Sequence, residues 1–215
     1  MKKLFIFAAA LLMSVSTLFA QSEKYTAAMK ENIVAIGEAF KNPADLLALA
    51  NKFERIANAE KTQWLPFYYA AFCQVNSTFI TTDKSKSDAI ADKATELINQ
   101  AAVLSPNNSE ITVIKSMIAS AHLMVDPMSR YMTYGPESSK YLEEAQQQDP
   151  ANPRPDYLAG QALKYTPEQF GGGCKPALEK LEASVKKFET FKPASDLHPN
   201  WGKQQVEAML VECKK

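Results

Sequence analysis

The sequence lacks the compositional features that are typical of several large classes of protein. Only three cysteines and seven glycines occur in 215 residues, too few for a disulfide-built scaffold or a glycine-rich fibrous chain. The 24 basic and 24 acidic side chains cancel, whereas nucleic-acid-binding domains usually carry a basic excess. Sustained two-residue alternation of apolar and polar residues is nearly absent, and no Asn-Gly hairpin turn occurs. These absences argue against a β-rich fold, a disordered chain and a nucleic-acid partner.

Residues 1–20 have the layout of a secretory signal peptide. Two lysines precede an almost wholly apolar stretch over 4–12, and small and polar residues follow up to Ala20. The apolar stretch is short for a membrane span, which needs about 20 residues. We therefore expect an exported, periplasmic or secreted protein whose mature chain is one domain over 21–215, with no membrane span after signal cleavage.

Apolar residues recur at helical spacing along the rest of the chain. In the first helix Tyr25, Met29, Ile33, Ile36 and Phe40 are spaced by four, four, three and four. This spacing predicts about nine helices, around 25–40, 43–57, 62–78, 85–104, 109–125, 136–148, 154–164, 176–190 and 201–213. Short connections between helices of similar length favour antiparallel neighbours. The predicted fold class is all-α.

A pattern of small, large and small residues followed by proline occurs twice, and in part a third time. The first copy is Ala94, Ile98, Ala101 and Pro106, the second is Ser138, Leu142, Ala145 and Pro150, and the partial copy is Ala177, Leu181 and Ser184. The pattern resembles the second helix of the tetratricopeptide repeat, in which small residues let the paired helix approach closely and proline ends the helix. The resemblance covers about 60–190. It implies a right-handed superhelix of antiparallel helix pairs, with 201–213 as a C-terminal capping helix.

The spacing departs from the plain repeat at one place. Pro106 and Pro150 are 44 residues apart, whereas the repeat period is about 34. We assign the difference to an insertion between two helices over 126–136. A non-repeating helical bundle is the alternative architecture.

Three further blocks resemble a family of exported, repeat-containing bacterial proteins of the Bacteroidetes type. They are Asp126–Gly135, Tyr165–Cys174 and Pro199–Gly202. The resemblance implies an exported helical protein and carries no assigned catalytic role.

Few residues point to catalysis or metal binding. His122 and Asp126 lie four residues apart and could form a base and its orienter, as in a hydrolase. No second histidine stands near for a metal site, and Asp126 before a proline could simply end a helix. The glycines at 171–173 lack the Gly-Lys-Ser/Thr sequence and the preceding strand of a phosphate-binding loop. We expect no catalytic residue, no metal and no cofactor, and a hydrolase is the weakest alternative.

The three cysteines leave two alternatives open in an exported chain. Cys174 opens one predicted helix and Cys213 nearly ends the last one, so antiparallel packing of these helices would bring the two thiols together. Otherwise all three cysteines, Cys73 included, are small apolar residues in helix interfaces.

Arginines and tyrosines in the irregular segments form the candidate binding set. The set comprises Arg130, Tyr131, Tyr134, Arg154, Tyr157 and Tyr165. Tyrosine and arginine are enriched in recognition surfaces, and stacked helix pairs form a concave face. The leading hypothesis is a non-enzymatic interaction module that binds a protein or peptide of the cell envelope on that face. The alternative is a small-molecule carrier whose apolar pocket is closed by the 126–136 insertion.

Overall fold

The computed structural model describes residues 23–215, so the predicted signal peptide and its cleavage site lie outside the described residues. Those residues form nine α-helices and one short 3-10 helix, without strands. The α-helices are α1 (23–39), α2 (Pro43–Glu60), α3 (Trp64–Ile80), α4 (Ser87–Leu104), α5 (Ser109–Leu123), α6 (Pro127–Gln148), α7 (Arg154–Tyr165), α8 (Cys174–Thr190) and α9 (Lys203–Cys213). The all-α prediction is confirmed. None of these helices is long and apolar enough to cross a membrane.

Helix α6 begins nine residues before its predicted start. The Asp126 side chain accepts the backbone N–H of Ser129, and Pro127 occupies the first turn, where its missing N–H costs nothing. Pro136, which the sequence analysis reads as the helix start, lies inside the helix. The predicted insertion is therefore about three additional helical turns, and residues 127–137 are called the α6 arm below.

Consecutive helices pack as antiparallel pairs through small side chains. Extensive contacts join α2 to α3, α3 to α4, α5 to α6 and α7 to α8. All nine small and large positions of the sequence pattern are buried. Ser138 shows why a small residue is needed, because its hydroxyl lies 2.8 Å from that of Ser116 on the facing helix. Gly160 is equally constrained, since a Cβ there would lie 2.6 Å from Leu181. The small residues therefore set the close spacing of the paired helices. The resemblance to the tetratricopeptide repeat stays a prediction.

The buried side chains form two clusters that share Leu158 and Trp201. The larger cluster is built from α1 to α5 together with Ala145 of α6, and the smaller from α7, α8 and α9. Trp201 lies in the loop before α9. Its indole N–H donates to the hydroxyl of Tyr68 (2.8 Å), and its ring lies 5.2 Å from that of Phe72. This loop therefore attaches the C-terminal helices to α3.

A disulfide joins the first residue of α8, Cys174, to the last residue of α9, Cys213. The pairing fits antiparallel helices, because it places the beginning of one beside the end of the other. Cys73 is a free thiol buried in α3. Burial raises the pKa of this thiol, so it stays protonated and packs as a small apolar group.

Candidate functional site

Two of the six predicted binding residues lie in the protein interior. Arg154 is 0% exposed and donates to Glu110 Oε1 (2.7 Å) and to the carbonyl of Pro199 (2.8 Å). Its guanidinium also lies 5.0 Å from the ring of Trp201. Tyr157 is buried in the smaller core cluster. Both residues connect α7 to the loop before α9, because each of them contacts the ring of Trp201.

Glu110, the acidic partner of Arg154, has a raised pKa. Burial raises the pKa of Glu110 to about 6, although Arg154 and Asn152 both lower it. Asn152 donates to Glu110 Oε1 (3.0 Å). The second carboxylate oxygen of Glu110 and the Nε of Arg154 are buried without a hydrogen-bond partner in the described part of the chain. This cluster is a structural junction between α5, α7 and the loop before α9.

Arg130 fastens the α6 arm to α4. Its two terminal nitrogens donate to the two carboxylate oxygens of Asp88 at 2.6 and 2.9 Å, and one of them also donates to the carbonyl of His122 (3.1 Å). The hydrogen bond from Arg130 is the largest cause that lowers the pKa of Asp88 to about 2. Asp88 therefore stays ionised and the arm is held at its first turn.

His122 belongs to the same attachment and does not pair with Asp126. Its Nδ1 lies 2.9 Å from Asp88 Oδ1, and its ring stacks on that of Tyr134 at 5.1 Å. Asp126 instead caps α6. The His122–Asp126 dyad of the hydrolase alternative is thus absent, because His122 pairs with the Asp88 carboxylate of α4 and Asp126 caps α6.

The α6 arm exposes large apolar side chains. Met128 is 87% exposed and Met132 is 81% exposed, and both lie on one face because they are one helical turn apart. Tyr131 is about half exposed, and its ring packs over Gly135, where a Cβ would lie 3.3 Å from the ring. Met124 is exposed in the turn before the arm. Four apolar side chains exposed within nine residues form a patch of the kind that marks binding surfaces, which we call the methionine patch (Met124, Met128, Tyr131 and Met132).

The last predicted binding residue, Tyr165, lies apart from these at the end of α7. Tyr165 and Phe170 are exposed on the loop that joins α7 to α8. The second histidine, His198, lies in the loop before α9, with its ring 5.7 Å from Trp64 and its Nδ1 2.7 Å from Ser195 Oγ. Burial lowers the pKa of His198. The six predicted residues therefore occupy three places. Arg130, Tyr131 and Tyr134 lie on the α6 arm, Arg154 and Tyr157 lie in the interior at the start of α7, and Tyr165 lies at the end of α7.

Two open hollows of about 480 and 400 Å³ lie along α2. Charged and amide side chains such as Asn51, Lys52, Glu54 and Arg55 line much of them. Both hollows are open to solvent, whereas the methionine patch exposes large apolar side chains on one short segment, so the patch is the better candidate surface for an apolar molecule.

Comparison with solved structures gives a relative that matches nearly the whole fold. The HusA haemophore from Porphyromonas gingivalis superposes with a TM-score of 0.79 at 37% sequence identity, covering 88% of this chain and 92% of that one. The chain belongs to the HusA haemophore family. No protein-family model and no curated protein sequence matches the chain.

Membership of the haemophore family corrects the leading functional hypothesis. The prediction of a protein or peptide partner in the cell envelope is wrong, because the relative is a haemophore, a protein that binds a small molecule. The alternative of a small-molecule carrier agrees with it better. The expectation of a non-enzymatic protein is confirmed by the same relationship, since a haemophore is a binding protein and not an enzyme.

Sequence reasoning missed the residues that organise the candidate site. Asp88 lies 42 residues before Arg130, and no local pattern links the two. The methionine spacing was visible, because Met124, Met128 and Met132 follow one another at steps of four. The sequence predicts 126–136 as an insertion between two helices, and without a helix the spacing of four does not place these side chains on one face.

Proposed function

We propose that the mature protein is an exported carrier of a haem-class tetrapyrrole in the cell envelope. The observation that carries this proposal is the 37% identity with the HusA haemophore over 92% of that chain. The predicted signal peptide supports export, and a periplasmic or cell-surface location would place the carrier where haem enters the cell.

The chemistry of the ligand agrees with the α6 arm. A tetrapyrrole is a flat, largely apolar ring with carboxylates on one edge, so its binding surface needs exposed apolar area beside a cation. The arm offers Met128, Tyr131 and Met132, and the unbranched methionine side chains adapt readily to a flat surface. Arg130 supplies a cation on the arm. Its side chain is about a third exposed and pairs with Asp88.

We assign the apolar contact to Met128, Tyr131 and Met132 and a carboxylate contact to Arg130. The guanidinium has five N–H donors. The structure shows three hydrogen bonds from two of its nitrogens, to Asp88 and His122. Tyr134, stacked on His122, stiffens the base of the arm and keeps the surface in place.

The test is an absorbance titration of the mature chain with haem and with iron-free protoporphyrin. We expect saturable binding at one ligand per chain. Replacing Met128 and Met132 by serine removes apolar contact and is expected to weaken binding at least tenfold, which corresponds to about 1.4 kcal/mol.

The matched control is Val103→Ser, because Val103 is as exposed as these methionines (82%) but lies near the end of α4, away from the arm. Equal affinity in both variants would move the site away from the α6 arm. Absence of saturable binding by the unmodified chain would contradict the proposed function itself.

A further inference from the structure

The sulfur atoms of this protein are unevenly distributed. Six methionines lie within 21–215, and three of them, Met29, Met117 and Met209, are buried. The other three are all exposed and all lie in the methionine patch. Cys73 is buried, and Cys174 is oxidised in a disulfide with Cys213. Among the described residues, the reduced sulfur that solvent can reach is therefore confined to 124–132.

The spacing of these thioethers suits a shared ligand. Met128 and Met132 are one turn apart on α6, so their Cβ atoms are separated by about 5–6 Å. Each side chain has three rotatable bonds, which lets both sulfurs turn toward one ion. Met124 precedes Met128 by another four residues, in the turn that leads into α6. Arg130 anchors the arm through Asp88, so the backbone that presents the sulfurs is fixed.

The apolar contact proposed above does not by itself require methionine at these three positions. Leucine would supply the same apolar area for a tetrapyrrole at lower conformational cost, because it has fewer rotatable bonds. What distinguishes methionine is its thioether, a soft and uncharged donor that needs no deprotonation. Soft thiolate and thioether ligands select Cu(I), whereas imidazole and carboxylate favour other metals.

Harder donors do not assemble a competing site in the described part of the chain, where no group of three or more His, Cys, Asp and Glu residues could hold a metal ion. The N-terminus of α6 carries the positive end of the helix dipole, which disfavours a cation. The carboxylate of Asp126 caps that terminus and offsets this effect.

We propose that Met124, Met128 and Met132 form a thioether site for a soft monovalent cation, Cu(I). This site goes beyond the proposed carriage of a tetrapyrrole. The metal ion would bind the methionine sulfur atoms, whereas the tetrapyrrole would contact the apolar surface of the same side chains. The two properties are separable, because leucine keeps the area and lacks the sulfur.

The experiment measures metal binding to the mature, disulfide-intact chain with two probes. Cu(I) is supplied anaerobically from a bathocuproine disulfonate complex, and Ag(I), which does not change oxidation state, is added alone and counted by native mass spectrometry. We expect one ion per chain. The variant Met124→Leu/Met128→Leu/Met132→Leu is expected to bind Cu(I) at least tenfold more weakly, with unchanged circular dichroism.

Met209→Leu is the matched control, because it makes the same substitution at a buried methionine and is expected to bind Cu(I) like the unmodified chain. If the triple variant loses helix content, Met128→Leu alone, an exposed position, provides the same comparison. Equal Cu(I) affinity in the triple variant and the unmodified chain, or no bound ion in either, overturns the proposal. The triple variant should still bind protoporphyrin, so failure of the metal site and failure of the carrier function give different results.

Discussion

At the scale of single residues, two arginine–carboxylate pairs of similar geometry have opposite surroundings. Arg154 and Glu110 approach to 2.7 Å and Arg130 and Asp88 to 2.6 Å. The Arg154 side chain is fully buried, whereas Asp88 is about two-fifths exposed. When one partner of a buried pair is removed, the other charge stays buried with nothing to neutralise it. When one partner of an exposed pair is removed, water solvates the remaining charge. Burial therefore decides how much each pair contributes to stability.

We predict that Arg154→Ala lowers the free energy of unfolding by about 3–5 kcal/mol, because Glu110 is then left buried and unpaired. Arg130→Ala should cost far less, because solvent screens its pair with Asp88. Urea unfolding followed by circular dichroism measures both. Equal losses in the two variants would contradict the assignment of Arg154 to the interior junction.

Glu110 should make stability depend on pH. Its pKa is raised from 4.5 to about 6 by burial, so the folded state holds the proton more tightly than the unfolded state. The resulting stabilisation is fully present below pH 4.5 and is lost as the pH rises through 6. Relative to Glu110→Gln, which has no proton to lose, the unmodified chain should lose up to about 2 kcal/mol of unfolding free energy between pH 4.5 and 7. A pH-independent difference between the two proteins would show that burial does not raise this pKa.

At the scale of elements, the loop between α7 and α8 depends on glycine for space. The backbone N–H of Gly173 donates to the carbonyl of Leu163 (2.9 Å), and that of Gly172 to Pro167 (3.2 Å). A Cβ at Gly172 would lie 2.0 Å from the carbonyl oxygen of Thr166, which is backbone and cannot move aside easily. The disulfide at Cys174 fixes the end of the same loop.

We predict that Gly172→Ala destabilises the protein by at least about 2 kcal/mol, the scale of overpacking in a closely packed site. The control is Gly37→Ala in α1, where no atom lies within 4 Å of the new methyl group. That change should stabilise by up to about 1 kcal/mol, because alanine has the higher helix propensity. Thermal unfolding measures both, and a neutral Gly172→Ala would show that the loop relaxes.

Helices were predictable from the sequence because their signals are local. Asn42 and Asn108 accept the backbone N–H two residues ahead, and the apolar spacing identified the buried faces. The start of α6 was missed because Pro136 was weighed above the Asp126–Pro127 pair. Capping by Asp126 and a tolerated internal proline together set the actual boundary.

At the scale of the whole molecule, the candidate site depends on contacts between distant segments. Arg154 is predicted as a binding residue because it flanks a loop, and its partners at 110 and 199, which are 44 and 45 residues away, leave no local signal of its burial. Arg130 was predicted to be available for binding, and its partner Asp88 lies 42 residues away. Composition and periodicity report which residues are buried along one helix. They do not show which distant carboxylate will pair with an arginine in the folded chain.

Native mass spectrometry of the mature protein, recovered from the cell envelope under non-denaturing conditions, tests haem carriage most directly. A haem-class carrier should show one added mass per chain equal to that of a tetrapyrrole, and acid–acetone extraction should release it. A chain that carries no small molecule, and gains none when haem is supplied, would contradict the account.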